Sequence, residues 1–122
     1  MSSGVGKFVG LLLSSREQAH VFHLVTSSYS VHKAMQEYYE GIVPLVDEYA
    51  ETYMGKSRRK ISGLTPYINR TIVTNPRLVK AYFAKLLNTI RLIKLPKESA
   101  LDNIQQEIKA LIVRTLFLLG LR

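Results

Sequence analysis

The chain has 122 residues and carries 17 Lys and Arg against 9 Asp and Glu, a formal charge of +8. That length supports one hydrophobic core and one domain over residues 1–122, and 47% hydrophobic with 21% charged residues excludes a disordered tail. Without cysteine there are no disulfides, thiolate metal sites or cysteine nucleophiles, and no apolar run approaches the roughly 20 residues of a membrane span.

Apolar residues recur at helical steps from residue 4 to 26, through Val5, Phe8, Val9, Leu12 and Ala19. Ser27-Ser28-Tyr29-Ser30 breaks this helix, and Ser28 or Ser30 can cap the next. A second helix is expected over residues 31–54, with Met35, Tyr38, Ile42, Leu45, Tyr49 and Tyr53 inward, a kink at Pro44 and a close at Gly55. Residues 56–74 have no sustained period and contain Gly63 and Pro66, which reads as a long basic connection. Asn75-Pro76 is a cap followed by a first-turn proline, so a third helix should run to about Leu95, stopped by Pro96. Its inward face is Tyr82, Leu86, Leu87, Ile90 and Ile93. Ser99 and Asp102 form a capping-box pattern for a fourth helix, which carries Leu101, Ile104, Ile108, Leu111, Thr115 and Leu118 and ends at Gly120. Four helices without a period-two stretch predict an all-α, antiparallel four-helix bundle.

Charge is unevenly distributed along the chain. Between residues 52 and 97 there are eleven basic side chains and no acidic one. Lys56, Arg58, Arg59 and Lys60 cluster in the connection, and Arg77, Lys80, Arg91 and Lys94 fall along one edge of the third helix. A basic stretch with so few acidic partners is a candidate surface for polyanions. The preceding residues 32–51 are acidic instead, with Glu37, Glu40, Asp47, Glu48 and Glu51 against Lys33 alone.

The three histidines, His20, His23 and His32, lie near one another in sequence, and Asp47 and Glu51 are one helical turn apart. Imidazole and carboxylate without thiolate suit iron, zinc or manganese. His32 and Glu51 are 19 positions apart on one helix, roughly 28 Å at 1.5 Å per residue, so one chain cannot bring them to one ion. Two copies antiparallel across a two-fold axis place His32 of one beside Asp47 and Glu51 of the other.

From His20 to His32, Asp47 and Glu51 the steps are 12, 15 and 4. This spacing resembles the ferroxidase ligands of the Dps family, the ferritin-like DNA-binding proteins of starved cells. The stretch AHVFHLVTSSYSVHKAMQEYYEGIVPLVDEYAE, residues 19–51, looks like that family's first two helices, and most like its short phage-encoded members. The resemblance implies a ferritin-like bundle that forms two-fold dimers and a dodecameric shell. It also implies iron held by His20, His32, Asp47 and Glu51, Fe(II) oxidised and stored, DNA protected, and a bacterial cytoplasm, that of a phage-infected host included, as the setting. His23 is not among the ligands it implies.

Gln36 stands where that family usually has an acid, and Pro44 lies just before the acid pair. These departures support a second expectation, a non-catalytic protein that binds DNA, RNA or an acidic host protein through its basic residues. With no lysine-rich tail, the DNA contact would fall to Lys56, Arg58, Arg59, Lys60, Arg77, Lys80, Arg91 and Lys94, and it would be independent of base sequence.

Overall fold

The structure, a computed structural model, describes residues 3–64 and 75–121. Its described residues form four α-helices and no strand: α1 (Ser3–Val25), α2 (Tyr29–Ser57), α3 (Pro76–Arg91) and α4 (Ser99–Leu119). The expected connection over 56–74 is irregular only from Arg58 onward, and its 65–74 part lies outside the described residues.

Local chemistry explains most boundaries. Ser28 Oγ accepts the Val31 amide and starts α2, and Asn75 accepts the Arg77 amide ahead of Pro76. α2 continues through Pro44 and past Gly55, and its C-terminus is Arg58 in the left-handed region, φ 57°, with its amide on the Met54 carbonyl. Gly55 is therefore an interior helical position, a correction to the sequence expectation.

α3 stops at Arg91, four residues earlier than expected. The Pro96 ring would collide with the carbonyl of Leu92 in a continued helix, so the chain leaves the α conformation well before the proline itself. Lys94 consequently lies beyond α3, in the link to α4.

α4 is capped by Glu98 rather than by a Ser99–Asp102 box. The Glu98 carboxylate accepts the amides of Ala100 and Leu101, 3.2 Å each, while Asp102 accepts from Gln105 at 2.9 Å. The Ala100 amide, with those of Leu101 and Lys56 Nζ at 3.7 Å, holds the Glu98 carboxyl below its ordinary value of 4.5.

α1 packs on α2 and α3, and α4 packs on α2 and α3, giving the ring order α1–α2–α4–α3. Arg114 lies near Glu37 and Lys56 near Glu98, so α2 and α4 are antiparallel. Phe22 meets Tyr82 while Gly4 meets Lys94, so α1 and α3 are antiparallel too. Because the three-residue turn between α1 and α2 also reverses direction, α2 and α3 run parallel. The link over residues 58–75 is thus a long crossover.

The core is aliphatic and aromatic, with Phe8, Leu12, Met35, Tyr38, Ile42, Tyr49, Phe83, Ile90, Ile108 and Ile112 among its fully buried members. Val46 and Ile112, rather than Leu45 and Leu111, take the inward positions, and Val79 and Phe83 displace Tyr82. α1 also buries polar residues. Ser15 donates to the Leu12 carbonyl or shares its hydroxyl with Tyr38 Oη, 2.7 and 2.6 Å away. The Tyr49 hydroxyl is buried with no hydrogen-bond partner among the described residues, its ring 4.9 Å from that of Phe8. Burial pushes the Tyr49 phenol up to about 12 and Tyr38 higher still.

These two tyrosines should respond oppositely to loss of the hydroxyl. Tyr38→Phe breaks the Ser15 bond and should destabilise by about 1 kcal/mol, whereas Tyr49→Phe removes a buried orphan and should leave stability unchanged or raise it by up to about 1 kcal/mol. Equilibrium urea unfolding of both variants checks this contrast; a loss at Tyr49 as large as that at Tyr38 would contradict it. The Glu98 cap has a pH signature. Its lowered carboxyl contributes stability that is fully present above 4.5 and is lost as pH falls through the folded value. Melting temperatures of wild type and Glu98→Gln should therefore differ at neutral pH and converge under acid.

Candidate functional site

The tip of the α1–α2 hairpin is built by reciprocal contacts. His23 Nδ1 lies 2.7 Å from the His32 carbonyl oxygen and His32 Nδ1 lies 2.8 Å from the His23 carbonyl oxygen. A carbonyl only accepts, so Nδ1 donates on both rings. The rings stack with centroids 3.7 Å apart and 18° between planes. Stacked rings with near-parallel planes cannot both aim an in-plane lone pair at one ion. This pair closes the hairpin.

His20 sits one turn before His23, their centroids 6.1 Å apart, and stacks on Tyr39 at 4.6 Å. Arg16 Nη1 lies 3.3 Å from His20 Nδ1, and its guanidinium is 5.5 Å from the Tyr39 ring. A guanidinium only donates, so it occupies the Nδ1 lone pair and places a permanent positive charge beside His20. Gln36 donates to Glu40 at 3.2 Å and does not reach the histidines.

Of the four expected ligands, the structure therefore gathers His20 and His32 at the hairpin tip, together with His23, Tyr39 and Arg16. Asp47 and Glu51 are exposed further along α2. Among the described residues no group of three or more His, Asp or Glu side chains is arranged to hold a metal ion. Within one chain the expected ligands are divided along α2, with His20 and His32 at the hairpin tip and Asp47 and Glu51 further along the helix. Sequence reading missed His23 because its partner is a backbone carbonyl nine positions away, which no residue pattern encodes.

The basic residues converge more than the ligands do. The α2 C-terminus, the α3 C-terminus and the first turns of α1 and α4 share one end of the bundle. Lys56, Arg58, Arg59 and Lys60 arrive there from α2 and the start of the crossover, and Arg91, Lys94 and Lys97 from α3 and its link to α4. Lys7 of α1 is exposed at the same end. Lys56 pairs with Glu98 at 3.7 Å, and the other seven have no ion pair among the described residues. The crossover then turns back over the α1–α2 groove, where Ile61 and Leu64 share a cleft with Val9, Leu13, Val46, Asp47 and Ala50.

Arg77 and Lys80 are separated from this group. They open α3 at the opposite end, where Lys80 Nζ lies near Gly120 and the last carbonyls of α4. The single basic edge expected on the third helix is therefore divided between the two ends, because α3 spans the bundle and stops before Lys94.

Loss of either imidazole should loosen the hairpin. His23→Ala and His32→Ala should each cost about 1 to 2 kcal/mol, counting one hydrogen bond and the ring stack. The double variant should cost clearly less than the two together, since both report the same contact. Additive losses in urea unfolding would show that the two rings act independently.

Comparison with known proteins corrects the resemblance to the Dps family. The chain is 33% identical over 64 residues to an uncharacterized 14.6 kDa protein in the mobD-ri intergenic region of Enterobacteria phage T4. The match takes in 52% of this chain and spans half the length of that relative. No solved structure matches. The spacing that suggested ferroxidase ligands needs only two histidines flanking a helical turn and an acid pair one turn apart, which a polar-faced helical hairpin can supply without a metal. The family model that matches covers residues 23–119, from His23 through α4, and the chain belongs to that family, a family of unknown function (DUF5856).

Proposed function

We propose that the protein binds nucleic acid through the phosphate backbone, using the basic end of the bundle. The observation that carries this reading is the convergence of Lys7, Lys56, Arg58, Arg59, Lys60, Arg91, Lys94 and Lys97 at one end, where Glu98 is the one acid paired with any of them among the described residues. Same-sign charges held together raise the energy of the folded chain, and a bound polyanion relieves that repulsion. Exposed Lys and Arg contacts of this kind release counterions and carry no base information, so binding is independent of sequence and strongly salt-dependent.

The parallel course of α2 and α3 with one long crossover supports a ferritin-like description of the bundle. Topology alone does not bring iron chemistry with it. Fe(II) oxidation, iron storage and the dodecameric shell rested on the Dps resemblance and lose that support. No helix among the described residues is long and apolar enough to cross a membrane.

The test is fluorescence anisotropy with duplex DNA of mixed sequence over a salt series. The logarithm of the binding constant should fall linearly with the logarithm of salt, and the Arg58→Ala/Arg59→Ala/Lys60→Ala variant should flatten the slope by about 2 to 3, at roughly 0.9 per lost phosphate contact. The Arg77→Ala/Lys80→Ala variant should change it much less. Absence of duplex binding at low salt, or binding insensitive to salt, would overturn the reading.

A further inference from the structure

The two basic links leave the same end of the bundle, and each lies against a glycine in the first turn of α1. An ideally placed Cβ on Gly6 would collide with the Ser62 carbonyl oxygen and come within 2.8 Å of the Gly63 carbonyl carbon. One on Gly4 would collide with the Lys94 carbonyl oxygen and approach Ile93 Cγ2 to 3.0 Å. In both cases the obstacle includes main chain, which cannot swing aside as a side-chain tip can. Residues two apart on a helix point about 200° apart, so Gly4 and Gly6 face opposite sides. The first turn of α1 is held between the two links, with Val5 buried in the core and Lys7 exposed. Gly63, at φ 68°, takes the left-handed conformation that gives the crossover its turn at this contact.

We infer that Gly4 and Gly6 are positioning residues for a two-part phosphate-binding surface, Gly6 seating the link that carries Arg58, Arg59 and Lys60 and Gly4 seating the link that carries Lys94 and Lys97. This rests on the nucleic-acid reading above and adds to it the residues that hold the two parts on either side of the α1 N-terminus. Neither glycine touches the ligand. Each acts by letting a basic segment lie against α1, so that one duplex meets both segments at once. A side chain at either position lifts one segment and leaves the other in place.

The experiment measures duplex binding over a salt series for wild type, Gly4→Ala, Gly6→Ala and Gly55→Ala. A Cβ added at Gly55 would meet nothing within 4 Å, so this position serves as the matched glycine control. Gly6→Ala should flatten the salt slope by about 2 to 3 and Gly4→Ala by about 2, following the number of displaced cations at roughly 0.9 each, while Gly55→Ala keeps the wild-type slope. In the Arg58→Ala/Arg59→Ala/Lys60→Ala background, Gly6→Ala should flatten the slope no further. A role in packing alone would lower the melting temperature and leave the slope of the folded fraction unchanged, and that result overturns the inference. Should the alanine variants fail to fold, lysine acetylation of the wild type decides the matter. Bound duplex should protect Lys60, Lys94 and Lys97 together while Lys33, at the far end, reacts as in the free protein. Protection confined to one link overturns the inference. Absence of duplex binding by wild type would instead overturn the nucleic-acid reading itself.

Discussion

The close approach of main chain to main chain at the first turn of α1 is the constraint that seats the two basic links of this protein against the bundle. Gly6 admits the Ser62–Gly63 backbone and Gly4 admits Lys94, and these contacts hold two basic segments, distant in sequence, against α1 at the end where α2 and α3 terminate. Helix direction reinforces the arrangement. The C-termini of α2 and α3 carry partial negative charge, which favours the Lys and Arg side chains gathered around them. The α4 N-terminus favours an anion, and Glu98 takes that place as its cap. Among the described residues, the basic side chains at this end other than Lys56 form no ion pair.

The opposite end is organised by ring stacking and side-chain hydrogen bonds instead. His23 and His32 exchange Nδ1 hydrogen bonds with each other's carbonyl across the hairpin. The His32 ring thereby caps one of the last carbonyls of α1, a group that a helix C-terminus otherwise leaves unpaired, while the His23 ring ties α1 to the first turn of α2. Tyr39 and Arg16 complete this corner by stacking and by donating to His20. Imidazoles suit the role because they offer a donor and a flat apolar face together. The same property makes histidine a metal ligand elsewhere, so residue type by itself could not separate the two uses.

Between these ends the core accepts some imperfect burial. Ser15 and Tyr38 form a satisfied polar pair inside it, while the Tyr49 hydroxyl remains without a partner among the described residues. Tyr49 fills space against Phe8, which indicates that ring volume at this position matters more than the hydroxyl. Such compromises are tolerated where packing density dominates the free energy.

The amino-acid sequence by itself determined the four helices, a serine cap for α2 at 28 or 30, the Asn75 cap, the first-turn role of Pro76 and the excess of cations between residues 52 and 97. These features are local: a cap reads an amide two or three residues away, a proline acts on its own turn, and charge is counted without geometry. The stop of α3 at Arg91 was legible in kind but not in place, because the Pro96 ring acts on the carbonyl four residues earlier. Tertiary structure alone decided the rest. Whether Lys94 shares a surface with Arg77 or with Arg59 depends on the parallel course of α2 and α3 across the crossover. The partner of His23 depends on the register of the hairpin, whereas the separation of His32 from Asp47 and Glu51 already followed from their spacing on one helix. The first two are relations between separate segments of the chain, set by how helices pack and cross, and no spacing within one segment encodes them.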